Sequence, residues 1–490
     1  MGKGVIKGIN PYLPEYEYVP DGEPHVFGDR VYIYGSHDKF NGTRYCMNDY
    51  VCYSASIYDL TEWKYEGVIY KKSEDPRTCD GNHEYWAPDV ARGKDGRYYL
   101  YYCPDYSFKS VGVAVADTPA GEYKFLGFLR DAHGGIIGER PGDYRMFDPG
   151  VFADDDGRIY LYSGNGDREK EYVNFVKDKK SSLVTELSDD MITIKSEPRP
   201  LIPVIGYDTR DFKGHEFFEA SSVRKINGIY YLVYSSIKSH ELCYATSKNP
   251  LGPFYYGGVI ISNGDIFDGE TYADAKTPIG NNHGSIEAIN GKYYIFYHRQ
   301  TNACEFSRQA CAEVIEILPS GRIMQAHVTS EGLRGKAFSE PGTYPAYMAC
   351  YINMNGKSCW SKNGMWNPDY PYFTQSGEDF DYGNPGNPPF QYITNFKSGA
   401  RAYFKYFDIK ETHKITVIVR GNGSGVILLK TDEKMLSGTE NAYDAKISVS
   451  PCDEFTGFSA EFSINHKSEY PIILEFFGEG ALDISDFTIE

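Results

Sequence analysis

The chain is 490 residues long and carries 68 acidic against 50 basic residues, a formal net charge of −18 at pH 7. So acidic a surface disfavours nucleic acid and anionic membranes as partners, and no run of about 18 apolar residues exists to span a bilayer. Aromatic residues reach 16%, and Gly (50) and Pro (26) are plentiful, which favours an all-β chain with many turns.

The opening MGKGVIKGIN lacks the apolar core of a signal peptide. The ten cysteines contain no Cys-x-x-Cys pair, so they read as free thiols in a reducing compartment. A cytoplasmic protein is expected.

One pattern then recurs five times: a polar-Gly turn followed by alternating aromatic and aliphatic residues. The copies are FGDRVYIYGS (27–36), KDGRYYLYYC (94–103), DDDGRIYLYSG (154–164), INGIYYLVYSS (226–236) and INGKYYIFYHR (289–299). Asp-Gly and Asn-Gly suit tight hairpins because they tolerate positive φ, and the period of two marks each copy as the second strand of a hairpin. Turn positions 29, 96, 157, 228 and 291 lie 67, 61, 71 and 63 residues apart. Each interval holds a four-stranded antiparallel sheet, and five of them predict a five-bladed β-propeller. Third- and fourth-strand echoes follow in VGVAVADTPAGEYKFLGFL (111–129) and ELCYATSKNPLGPFYYGGVI (241–260).

After about residue 340 the repeat stops. A turn-rich stretch, SGEDFDYGNPGNPPF, precedes six strand candidates: RAYFKYFDI, KITVIVRG, GVILLKT, TGFSAEFSI, YPIILEFFG and LDISDFTIE. Short strands at regular spacing predict a β-sandwich of jelly-roll type. The expected division is a propeller over 1–338 and a sandwich over 339–490.

Just upstream of the five turns stand Asp21, Asp89, Asp148, Glu219 and His283, at 8, 7, 9, 9 and 8 residues. Each blade thus places one ionisable residue near the start of its innermost strand, and the five are expected to converge on the axis. A single Asp beside Gly or Pro is ordinarily a turn residue; the shared phase is what sets these apart. Converging carboxylates suit glycosidic cleavage, which needs one carboxyl to protonate the leaving oxygen and a second to activate water or to attack. Mutual repulsion keeps one of them protonated. Tyr85, Trp86 and Phe147 offer apolar faces for sugar rings.

At these residues the chain resembles glycoside hydrolase family 43. The resemblance covers roughly residues 8–335 and rests on NPYLPEYEYVPDGEPHVFGDRVYIYGSHD, WAPDV, FDPGVFADDDGRIYLYSG, HEFFEASSVRKINGIYYLVYS and NNHGSIEAINGKYYIFYHR. It implies an inverting glycoside hydrolase with Asp21 as general base, Asp148 as the aspartate that orients the acid, and Glu219 as general acid. It further implies that His283 helps to hold a structural calcium near the axis and that Arg308 contacts the sugar; Trp86 and Phe147 by their aromatic faces, and Asp89 by its phase, are expected to line the substrate site. The base motif departs from the common Ala-Asp-Pro-Ser, reading Pro20-Asp21-Gly22-Glu23, and the acid motif continues Ala220-Ser221.

The C-terminal stretch PYFTQSGEDFDYGNPG resembles family 6 carbohydrate-binding modules; Trp360 and Trp366 are candidates for stacking on sugar, with burial in the sandwich core or at the domain interface the favoured alternative. The implied substrate is a small oligosaccharide from hemicellulose, cleaved by β-xylosidase or α-L-arabinofuranosidase action, and no organic cofactor is expected. A β-galactofuranosidase and a non-catalytic carbohydrate-binding propeller stand as alternatives. A β-fructosidase-type propeller would need an Asn-Asp-Pro-Asn-Gly signature, which is absent.

Overall fold

In the computed structural model, each of the five predicted turns joins the first two strands of one sheet. The structure describes residues 6–105, 107–166, 182–203, 211–358, 367, 369–410, 414–436, 442–463 and 468–490. Trp360 and Trp366 lie outside the described residues.

The first sheet is β1 (Glu23–Phe27), β2 (Arg30–Tyr34), β3 (Tyr50–Ser56) and β4 (Asp59–Tyr70). The second is β5 (Tyr85–Arg92), β6 (Tyr98–Pro104), β7 (Gly112–Ala116) and β8 (Lys124–Phe128). The third is β9 (Gly150–Ala153), β10 (Ile159–Ser163), β11 (Leu183–Leu187) and β12 (Arg199–Pro200). The fourth is β13 (Phe217–Ile226), β14 (Ile229–Ser236), β15 (Glu241–Ser247) and β16 (Tyr255–Ser262). The fifth has three strands, β17 (Ile286–Ile289), β18 (Lys292–Gln300) and β19 (Arg308–Ile315). All pair antiparallel in sequence order, as expected for propeller blades. Asn227-Gly228 and Asn290-Gly291 have φ of 51° and 76°, and 47° and 78°, so both residues of each turn are left-handed, as a type I′ hairpin requires.

The fifth blade is completed by the other end of the propeller chain. The Tyr12 N–H donates to Ala310 O (3.2 Å), Asn10 Nδ2 donates to Ala312 O (3.0 Å), and Asn10 Oδ1 accepts the Ala312 N–H (2.9 Å). Residues 10–12 thus lie along the free edge of β19 and close the ring, covering an edge that would otherwise expose a row of backbone groups. On the axis, a parallel bridge between Gly22 and Gly284 joins the first and fifth blades.

Tyrosine dominates the packing between blades. Tyr34, Tyr50, Tyr70, Tyr85 and Tyr102 are all buried in one cluster between the first two blades. A buried phenol needs a partner for its hydroxyl. Tyr70 pairs with Tyr102 (2.9 Å), Tyr102 donates to Asp75 (2.7 Å), and Tyr50 donates to Trp86 O (2.6 Å). Burying a side chain of this kind contributes roughly 1.5–3 kcal/mol, and the satisfied hydroxyls fix how neighbouring blades meet.

Beyond the propeller, two sheets pack face to face around Phe404, Phe407, Ile415, Val417, Leu474 and Phe487. One has the order 372–375, 391–397, 481–489, 414–421, 452–461, with 342–345 also paired to 481–489. The other runs 351–354, 400–407, 470–479, 424–430, 445–449. All six expected strands are present. Five were not anticipated: Gly342–Pro345, Tyr351–Met354 and Tyr372–Gln375 are too short to show alternation, Ala445–Val449 falls between two strand candidates, and Gln391–Lys397 is bulged between Ile393 and Phe396. Among the described residues no helix is long and apolar enough to cross a membrane.

Candidate active site

Three blades turn into their inner strands through left-handed, non-glycine residues: Asp21 (φ 60°), Asp148 (φ 44°) and Ala220 (φ 68°). Asp21 and Asp148 each stand two residues ahead of their strands, and Glu219 is the third residue of β13, flanked by register shifts on both sides. Left-handed backbone costs these residues of order 1 kcal/mol each and clusters at functional sites, where the surroundings hold it in place. Those surroundings are close: a Cβ on Gly150 would fall 2.0 Å from Ser221 O. Only glycine lets the start of β9 pass the turn that carries Glu219.

Asp21 is buried. Arg308 Nη1 donates to its Oδ1 (3.0 Å). Burial alone would push the Asp21 carboxyl up; the Arg308 charge leads the groups that outweigh it and hold the acid below the usual carboxylate range. His298 Nδ1 lies 3.3 Å from both Asp21 Oδ1 and the Asp21 N–H. Burial and the Arg308 charge lower His298 to about 3, so the ring is neutral. Its Nε2–H donates to Asn281 O (2.7 Å), which leaves Nδ1 to accept the Asp21 N–H. His298 therefore positions Asp21 without an ion pair.

Asp148 behaves oppositely. Burial raises its pKa well above the ordinary value, and the charges of Glu219 and Asp21 add to the rise against the opposing effect of His283. Asp148 Oδ2 accepts the Ala220 N–H (3.2 Å), tying the third blade to the residue beside Glu219. Neighbouring carboxylates do not both ionise cheaply, so Asp148 holds its proton to higher pH than Asp21 does.

His283 stands between the Asp148 and Glu23 carboxylates, 3.7 Å from each. Burial opposes its charge, but Glu23, Asp148 and Asp21 raise it to about 9. Glu23 Oε2 accepts from Ser222 Oγ (2.8 Å) and Arg224 Nη2 (3.3 Å), whereas Oε1 has no hydrogen-bond partner. The buried Arg224 also reaches Pro24 O (2.6 Å) and Glu287 (3.0 Å). The channel beneath the carboxylates is thus a charged network joining the first, fourth and fifth blades. Arg224 was not singled out from sequence, and Glu23, two residues from Asp21, was seen there only as a rival for the role of base.

Asp89 needs a correction. It was expected to face substrate, but it is buried in the wall with both oxygens taken: Oδ1 pairs with His25 Nε2 (2.6 Å) and accepts the Val90 N–H (2.7 Å), and Oδ2 accepts the Val151 N–H (2.6 Å). A register shift between Trp86 and Asp89 changes the facing of the strand just before it. Asp89 clasps three blades together. Trp86 and Phe147 meet edge to face at 5.4 Å and pack with Cys46 and Cys103. They form an apolar wall beside Asp148, and Trp86 Nε1 donates to Glu84 (3.0 Å).

Arg308, expected at the sugar, has its guanidinium engaged by protein. Nε and Nη2 hold Asp38 Oδ2 (2.8 Å) and Oδ1 (2.9 Å), and Nη2 also approaches Cys46 Sγ (3.4 Å). Asp38 escaped the sequence reading because it sits in an aperiodic loop, GSHDKFNG.

A family model for "Glycosyl hydrolases family 43" matches residues 17–323. A protein of Thermoclostridium stercorarium described as a xylosidase/arabinosidase is 46% identical over 490 residues, covering 98% of each chain. Another of that description, from Bacteroides ovatus, is 32% identical and covers 64% of this chain and 98% of its own. A solved family 43 β-xylosidase/α-arabinofuranosidase from a compost metagenome, in complex with xylotriose and in a calcium-free form, is 29% identical with a TM-score of 0.51, covering 65% of this chain and 97% of its own. A family 43 enzyme of Xanthomonas citri complexed with xylose is 26% identical with a TM-score of 0.52, covering 66% and 93%. With a five-bladed propeller, buried axial carboxylates and a relative matched along the whole chain, the protein belongs to glycosyl hydrolase family 43.

Proposed function

We propose that this protein releases xylose and arabinofuranose from short hemicellulose-derived oligosaccharides by single-displacement hydrolysis with inversion. The observation that carries the proposal is the split in proton affinity among the axial carboxyls: Arg308 holds Asp21 ionised, while Asp148, beside Glu219, is pushed upward. A general base must be charged and a general acid protonated at the same pH; the depressed Asp21 suits the base, and the raised Asp148 is a proton store beside Glu219.

In the proposed step Asp21 takes a proton from water as its oxygen attacks the anomeric carbon. The glycosidic C–O bond breaks, and Glu219 gives its proton to the leaving oxygen. Asp148 orients Glu219 through the Ala220 backbone contact and shares its proton. The substrate class is supported by the descriptions of the full-length relative and of the xylose- and xylotriose-bound structures. The nine described cysteines are all unpaired, which supports work on imported fragments in a reducing compartment.

An axial calcium also fits the residues present. Glu23 Oε1 is a buried carboxylate oxygen that accepts no hydrogen bond among the described residues and faces the His283 ring at 3.7 Å, and hard oxygen is the ligand calcium prefers. Glu23 would hold the ion, and His283, charged in its absence, would have to give up its proton to join it; the ion when bound supplies fixed positive charge beneath the carboxylates. Dialysis against a calcium chelator is expected to lower Tm, and added calcium to restore it.

Product stereochemistry tests the central proposal. Proton NMR during hydrolysis of an aryl β-xyloside is expected to show α-xylose first; β-xylose as the first product overturns the mechanism. Parallel rates on aryl β-xyloside, α-L-arabinofuranoside and β-galactofuranoside test the sugar, with the first two expected to exceed the third.

A further inference from the structure

The loop between β2 and β3 supplies Asp38, and a residue of the C-terminal sandwich grips it. Asp379 lies in the turn after the Tyr372–Gln375 strand. Its Oδ1 accepts the Phe40 N–H (2.9 Å) and its Oδ2 accepts from Asn48 Nδ2 (3.0 Å). The same Asn48 nitrogen donates to Asp38 O (3.0 Å), and the Asn48 N–H to His37 O (3.0 Å). One sandwich carboxylate therefore bridges both ends of the 38–48 loop. Within that loop Asp38 Oδ1 accepts the Cys46 N–H (2.9 Å), and the whole Asp38 carboxylate is matched to the Arg308 fork, whose remaining nitrogen meets Asp21.

We propose that Asp379 is a positioning residue for hydrolysis: by pinning the 38–48 loop it keeps Asp38 and Arg308 in register and so fixes the Asp21 carboxylate against the attacking water. The path is short and polar at every link, with no flexible apolar contact to absorb a displacement. A bidentate fork transmits a shift of its partner directly, because both of its bonds depend on the plane and position of the carboxylate. A misplacement of about 1 Å in a reacting group can cost on the order of a hundredfold in rate.

Other contacts attach the sandwich without touching this path. Glu15 Oε2 accepts the Gln391 N–H (2.6 Å), and Phe380 packs on Tyr16 with ring centroids 4.2 Å apart. Attachment and positioning are therefore separable. If the sandwich only stabilised the propeller, weakening either kind of contact would lower Tm and leave turnover of the folded enzyme alone.

The inference rests on Asp21 acting as the base. The test uses the full chain, with kcat and KM for an aryl β-xyloside measured well below each variant's Tm. Asp379→Ala is expected to lower kcat about tenfold or more with KM within about twofold. Asp379→Asn keeps an acceptor for the Phe40 N–H and is expected to recover most of that loss. Glu15→Ala is expected to lower Tm and leave kcat unchanged. Wild-type kcat in Asp379→Ala, or a loss that only tracks the folded fraction, overturns the proposal. Should Asp379→Ala fail to fold, Asn48→Ala breaks the same link from the propeller side, and wild-type kcat there overturns it equally. Asp21→Ala run in parallel separates the two claims. Wild-type turnover in Asp21→Ala removes the base reading itself; a dead Asp21→Ala beside an unaffected Asp379→Ala removes only the role of Asp379.

Discussion

Arg308 Nη1 lies 3.0 Å from Asp21 Oδ1, while Nε and the backbone N–H of the same residue hold Asp38 Oδ2 at 2.8 and 3.0 Å. One fully buried cation thus serves two buried carboxylates, one before β1 and one after β2, from the last strand of the propeller. Removing it leaves both acids uncompensated. Arg308→Met is expected to destabilise the fold by about 3–5 kcal/mol, the usual cost of breaking a buried pair from one side. Because Arg308 depresses the Asp21 pKa, its loss moves the acidic limb of kcat/KM to higher pH. Arg308→Lys keeps the charge but not the fork and should shift the limb less. Thermal melts and a pH–rate profile check both; an unmoved acidic limb in Arg308→Met contradicts the assignment of Asp21.

The acid is tested by its leaving group. Glu219→Ala is expected to lower kcat by about 10²–10⁴ on xylobiose, the range for loss of a general acid. An aryl xyloside with an acidic phenol needs little proton transfer and should suffer far less, while sugar binding survives. Equal losses on both substrates, measured side by side, would exclude Glu219 as proton donor.

The closure of the ring depends on Asn10. Its amide meets Ala312 O, Glu313 Oε1 and Thr329 O at 3.0, 2.8 and 3.1 Å, and its oxygen accepts the Ala312 N–H at 2.9 Å. Asn10→Ala strands several buried groups at a cost of about 1–3 kcal/mol each. Earlier hydrogen exchange is expected in β19 than in β6, with a lower Tm. Uniform exchange across the blades in the variant would mean that the ring is closed by other contacts.

Stability towards acid should report Glu241. It accepts from His215 Nδ1 and Ser236 Oγ at 2.6 and 2.5 Å. Burial would raise its pKa, but His215 leads the groups that lower it from 4.5 to about 2. A depressed carboxylate stabilises the fold above its unfolded pKa and loses that contribution as pH falls through the folded value. The window here runs from pH 4.5 down to about 2, and at most about 3 kcal/mol is at stake. His215→Ala is expected to move the acid-unfolding midpoint upward; a midpoint unchanged from wild type would show that another group controls acid unfolding.

The five turns were legible because Gly and Asn report left-handed backbone directly, and the strands after them because aromatic and aliphatic residues alternate. Asp21, Asp148 and Glu219 were legible through their common phase relative to those turns. The same rule failed at Asp89, where a bulge one turn of the pleat earlier changes the facing and no residue type marks it. Asp38, Asp379 and Arg224 were out of reach for a different reason. Their roles are set by partners 270, 339 and about 200 residues away, and a loop Asp or strand Arg looks the same locally whether it faces water or a buried ion.

The strip of chain that seals the fifth blade has a consequence for how the protein comes into being. Asp21 leaves the ribosome almost 290 residues ahead of Arg308, the cation it pairs with in the folded protein. At a synthesis rate of about 5–20 residues per second, the nascent base waits on the order of tens of seconds for its counter-charge. Blades one to four can stack meanwhile, but until β19 forms Asp21 lacks the Arg308 contact that fixes its carboxylate. Appearance of xylosidase activity during refolding should therefore coincide with docking of residues 10–12 on β19 and lag behind the recovery of β-sheet signal.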